Sequence, residues 1–165
     1  MPEKEVIERA RKDAREGKAP STQAGEFVHE EIEHVKQGKH GARSTKQAIA
    51  IGLSKARRAG VKLPPPKEGA ASKRTRKQAQ RDYAKGQASA GWKPSAKRSR
   101  ATKNALQREG RAAASHEALS RQAKTSARKR GSASRKRAAG QAVRTKGQAG
   151  LRSAGRKAAR SRRGR

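Results

Sequence analysis

The feature that most constrains this chain is the position of its large apolar side chains. The 165 residues hold 18 Val, Ile, Leu, Met, Phe, Trp and Tyr, and 11 of these fall between Val6 and Leu63. A core can be assembled only there. Charge divides at the same place: residues 1 to 63 carry 14 basic and 9 acidic side chains, residues 64 to 165 carry 31 basic and 4 acidic, and together they give the net +32 of the chain. A segment this rich in charge and poor in apolar surface cannot bury enough to offset an ordering entropy of roughly 1 to 2 kcal/mol per residue. The second part is therefore expected to be largely disordered, with transient helices.

Three amphipathic helices are legible in the first part. Glu3 to Glu16 sets Val6, Ile7, Ala10 and Ala14 on one arc and stops at Gly17. The second begins near Ser21 or Thr22 and stops at Gly38, with Ala24, Phe27, Val28, Ile32 and Val35 on one face and Glu26, Glu30 and Glu33 opposite. The third lies in "STKQAIAIGLSKARRAG", residues 44 to 60. Ser44 and Gln47 fit a capping box, and Gly60 followed by Val61 fits a glycine stop. Ala48, Ile49, Gly52, Leu53 and Ala56 share its apolar arc, which leaves Ile51 toward the polar side. A glycine in that arc costs about 1 kcal/mol of helix propensity, so Gly52 implies close approach by another helix, with Phe27 as neighbour.

The fold class that follows is all-α: a helical module over 1–63, a proline-rich hinge over 64–71 opened by "LPPP", and a polycationic low-complexity tail over 72–165. Residues 72 to 85, 95 to 109 and 115 to 130 have fair helix propensity once neutralised, whereas glycines 140, 147, 150, 155 and 164 oppose long helices near the end.

Several function classes are excluded or weakened. The chain has no cysteine, hence no disulfide framework, thiol catalysis or Cys-ligated zinc. No apolar run reaches the roughly 18 residues of a membrane span, and the basic helices lack a face rich in Trp, Phe or Leu for membrane binding. In "HEEIEH", His29 and His34 are five apart rather than the four that puts two ligands on one helical face, so neither metal nor cofactor is expected. Asp13 and Asp82 have no evident His partner, and no catalytic constellation emerges.

A charge excess of this size calls for a polyanion, and nucleic acid is the abundant one. The loop "GKHGARS", residues 38 to 44, runs into a helix N-terminus, where Lys39, His40, Arg43 and Ser44 could contact phosphate; an ordinary connection with solvated charges is the other reading. Lys46, Arg57 and Arg58 follow on the third helix. A base-reading helix-turn-helix fits poorly, because Gln37 to Ser44 is longer than the 3 to 4 residues of that turn. In the tail the candidate contacts are Lys73, Arg74, Arg76, Lys77, Lys97, Arg98, Arg100, Arg128, Lys129, Arg130, Arg135, Lys136, Arg137, Arg156, Lys157, Arg160, Arg162 and Arg163. Tyr83 and Trp92 could each stack on a base, or Trp92 could fold back on the core. The acidic face of the second helix is expected either to pair with basic residues, to stay solvated, or to compete with DNA for the tail.

Residues 20 to 66, "PSTQAGEFVHEEIEHVKQGKHGARSTKQAIAIGLSKARRAGVKLPPP", resemble a family of small basic bacterial proteins commonly labelled DNA-binding. The rest is similar in composition to the Ala/Lys/Arg-rich tails of bacterial linker-histone-like proteins. The resemblance implies a bacterial, cytoplasmic, nucleoid-associated protein that binds, neutralises and compacts DNA without sequence preference. Two other readings stay open: an RNA- or ribosome-associated basic protein, and an adaptor whose helical module holds a protein partner, or a second copy of itself, while the tail tethers it to nucleic acid.

Overall fold

The computed structural model describes residues 2–88 and 95–163, with side chains to residue 160. Among these, six α-helices follow in order: α1 (Lys4–Arg15), α2 (Pro20–Lys36), α3 (Thr45–Arg58), α4 (Lys73–Gln87), α5 (Ala96–Gln107) and α6 (His116–Arg163), with a 3-10 turn at Ala112–Ala114 before the last. Contacts divide the chain into two compact units, Met1–Ser120 and Arg121–Arg165.

In the first unit α2 is the central element and packs against α1 and α3. Phe27 is fully buried and anchors a cluster with Val6, Ala10, Ala24, Ala56 and Val61. A second cluster joins Val35, Ala42 and Ala48 to Ala113 and Ala114, on which Ile32 packs. The expected stops are present: Gly17, Gly38 and Gly60 all have positive φ. Ser44 caps α3 by accepting from the Gln47 N–H (3.2 Å), while Gln47 Oε1 accepts from the Arg43 N–H (2.8 Å). Gly52 is where α3 meets α2. A Cβ there would fall 2.7 Å from Val28 Cα and 2.9 Å from the Phe27 carbonyl oxygen, so only glycine lets the two backbones approach so closely.

The structure corrects the expected disordered tail. The segment 72–165 is helical over 73–87, 96–107 and 116–163. Ala, Lys, Arg and Gln are good helix formers in their own right, and a helix satisfies its backbone without an apolar core. Part of this segment also belongs to the first unit. In α4, which packs on α3, Ala79 and Asp82 are buried. The Gly41 N–H donates to Leu106 O at the end of α5 (2.8 Å), and the Ala42 N–H to Gly110 O (3.0 Å). Thr45 Oγ1 donates to Ala113 O (2.6 Å). The first unit thus runs well past the proline run where a boundary was expected.

The second unit is the remainder of α6, broken at Gly131 (φ 68°, ψ 169°) and Gly147 (φ 64°, ψ 173°). These are conformations other residues rarely adopt, and they leave helical stretches over 116–130, 132–146 and 148–163.

Candidate nucleic-acid interface

The two units carry their charge differently. In the first, which holds 28 Lys and Arg against 13 acids, most of the acids are matched to cations. Arg9 Nε donates to Glu26 (2.8 Å), Lys18 lies 2.6 Å from Asp13 and 2.7 Å from Glu16, and Lys36 lies 2.7 Å from Glu33. The Lys18 ammonium pKa is raised, chiefly by its hydrogen bond to Asp13, and the Glu33 carboxyl pKa is lowered by Lys36.

Pairing extends to the loop expected to hold phosphate. Lys39 Nζ lies 3.2 Å from Glu3 Oε1, and Arg43 lies 3.4 Å from Glu109. His40 faces inward, with Nε2 3.3 Å from Glu31 Oε1 and Nδ1 3.1 Å from Gly41 O. Ser44 is occupied as a cap. The loop therefore joins α2 to the α5 end and the 3-10 turn, and its side chains are largely spent on that join. On α3, Lys46 is exposed, whereas Arg57 is buried: its guanidinium donates to Leu63 O (3.2 Å) and Pro64 O (3.4 Å), and burial lowers its pKa against the opposing effect of Asp82. Arg57 ties down the proline run. Arg58 Nε donates to Ser54 O (3.1 Å) and lies 3.7 Å from Asp82.

The acidic face of α2 is likewise engaged inside the unit. Glu26 and Glu33 hold Arg9 and Lys36, and Glu30 is buried beside Lys55. These contacts make the face an internal pairing surface, the first of the roles expected of it. Glu31 was expected to pair or stay solvated with its neighbours, but sequence reasoning missed its partner Lys55, 2.6 Å away, and the depth of the pair, because on a helical wheel a buried glutamate is indistinguishable from a solvated one.

Of the tail candidates in the first unit, Lys73, Arg74, Lys77, Lys97, Arg98 and Arg100 are exposed, and Arg76 pairs with Glu68 at 2.9 Å. Tyr83 is half-buried, and Trp92 lies outside the described residues.

The second unit carries no such matching. Residues 121 to 160 hold 14 Lys and Arg and no acid, and all 14 are exposed. Arg128, Lys129, Arg130, Arg135, Lys136, Arg137, Arg156, Lys157 and Arg160 are among them, joined by Arg121, Lys124, Arg144, Lys146 and Arg152, which were not singled out from the sequence. None forms an ion pair among the described residues. Arg162 and Arg163 lie beyond the described side chains. On the last helical stretch Arg152, Arg156 and Arg160 recur every four residues, within about 80° of arc. Among the described residues no helix is long and apolar enough to cross a membrane.

Fold and charge define a helical protein whose acids all lie in the first unit, many of them paired there, and whose second unit is polycationic with no acid at all. Over residues 21–68 the chain is similar to a family described as a family of unknown function (DUF6496). That match takes in nearly all of α2, all of α3 and the proline run held by Arg57. No curated protein and no solved structure matches the chain.

Proposed function

We propose that this protein binds nucleic acid without sequence preference, duplex DNA foremost, and that it neutralises and compacts its target. The observation that carries the reading is the run of 14 exposed, unpaired cations over residues 121 to 160 with no acid among them. Such a surface binds polyanions by releasing their condensed counterions, a term that depends on phosphate density rather than base identity. Helical breaks at Gly131 and Gly147 give the basic stretch three straight segments, each able to follow the backbone separately. Exposed Lys97, Arg98 and Arg100 on α5 would add contacts from the first unit. The resemblance of residues 20 to 66 to small basic bacterial proteins agrees with a place on the nucleoid.

The test is duplex binding by the full chain and by residues 1–120, titrated over a salt series. Loss of most affinity on truncation supports the reading. Tighter binding to structured RNA than to duplex DNA would redirect it to an RNA partner.

A further inference from the structure

Glu31 is the most deeply buried acid of the chain, and what surrounds it is not explained by nucleic-acid binding. It lies on α2 with its side chain 1% exposed. Lys55 Nζ is 2.6 Å from its Oε2 and also 3.5 Å from Oε2 of buried Glu30. Two buried carboxylates thus share one ammonium, in a place where an isolated charge is costly.

The other oxygen of Glu31, Oε1, faces His40 Nε2 at 3.3 Å. The opposite nitrogen of that ring, Nδ1, lies 3.1 Å from the Gly41 carbonyl, a contact that holds the ring with Nε2 aimed at Glu31. Neither Glu31 oxygen accepts an aligned hydrogen bond, despite the short distances. His34, one turn along α2 from Glu31, completes the group: one ligand atom each from Glu31, His34 and His40 lie within 4.8 Å of one another. The two imidazoles meet edge to face with centroids 5.9 Å apart.

We propose that Glu31, His34 and His40 form a binding site for a divalent transition-metal ion of the zinc class. Two imidazoles and a carboxylate are a donor set that suits zinc. Bonds of about 2.0 to 2.1 Å in a tetrahedral site put neighbouring donors about 3.3 to 3.4 Å apart, which the Glu31–His40 pair already meets. The Gly41 carbonyl orients the His40 ring, as outer partners of metal-bound histidines do, and Lys55 holds the second carboxylate oxygen away from the ion. Glu3 Oε1, 3.1 Å from His34 Nε2, steadies the His34 ring from outside the group. The ion sets a cation beside the two buried carboxylates and ties the 38–44 loop to α2.

The test uses the full chain, stripped with chelator and titrated with Zn(II) and with Co(II) alone. One equivalent is expected to bind per chain at micromolar concentration, with the visible absorption of tetrahedral cobalt, a rise in melting temperature, and shifts of the His34 and His40 ring signals. His40→Ala and Glu31→Gln should each weaken binding at least tenfold, whereas His29→Ala and His116→Ala should leave it unchanged. A folded wild-type chain that binds neither ion below millimolar concentration overturns the proposal. So does binding that survives His40→Ala, or a His40 ring found protonated against Glu31 in the metal-free and metal-treated protein alike.

Discussion

The α-carbon of Gly86 in α4 stands directly against the carbonyl oxygen of Arg57 in α3, leaving no room for a side chain. Next to it, Gln87 Nε2 donates to Gly60 O at 3.2 Å. This pair of contacts fastens a strongly basic helix to the apolar part of the protein. Gly86→Ala is expected to destabilise the first unit by about 1 to 3 kcal/mol through overpacking and to expose α4 to protease. Gly25→Ala is the control: nothing lies within 4 Å of a Cβ there, and the change should stabilise α2 by about 0.5 to 1 kcal/mol. Chemical denaturation and limited proteolysis of the two variants measure both effects.

Lys55→Met leaves Glu30 and Glu31 buried without their ammonium. The expected cost is about 3 to 5 kcal/mol, the range for breaking a buried ion pair from one side. Adding Glu31→Gln to Lys55→Met removes one of the stranded charges, and the double variant should be more stable than Lys55→Met alone. A denaturant cycle over the two sites reads the coupling directly.

Hydrogen bonding from His34, and then from Lys39, holds the Glu3 carboxyl below its ordinary pKa. Because the folded value is the lower one, these contacts stabilise the fold above the ordinary carboxylate range, and their contribution is lost as pH falls through the lowered value. An NMR titration should find Glu3 below the ordinary glutamate value, and His34→Ala should move it back up.

The joints in α6 lend themselves to a spectroscopic test. Converting both Gly131 and Gly147 to Ala removes the positive-φ breaks and about 1 kcal/mol of helix penalty at each position. The helical signal in far-ultraviolet circular dichroism is expected to rise as the three stretches join.

Much of the first unit was legible because its signals are local. The cap at Ser44, the glycine stops and the 3.6-residue spacing of Phe27, Val28, Ile32 and Val35 each need only a few neighbouring residues to be read. Gly52 could be read as a contact because a glycine in an apolar arc lacks another purpose. What sequence did not disclose is long-range. The meeting of Gly41 with Leu106, and of Thr45 with Ala113, joins residues more than 60 apart through backbone groups and alanines, which leave little pattern. The helical segments of the tail were legible at 72–85, 95–109 and 115–130, but they were expected to be transient: hydropathy and charge were weighed as the cost of ordering, while the intrinsic propensity of Ala, Lys, Arg and Gln acts without burial. His40 was read as a surface phosphate contact because its loop is basic, and only the fold turns it toward Glu31 and His34.

The most direct measurement of the central claim is the salt dependence of duplex DNA binding by the full chain and by residues 1–120. If about ten of the basic residues beyond 120 neutralise phosphates, the logarithm of the binding constant falls against the logarithm of salt with a slope near −9, and truncation removes most of that slope. A slope near zero, or one that truncation leaves unchanged, would contradict the account.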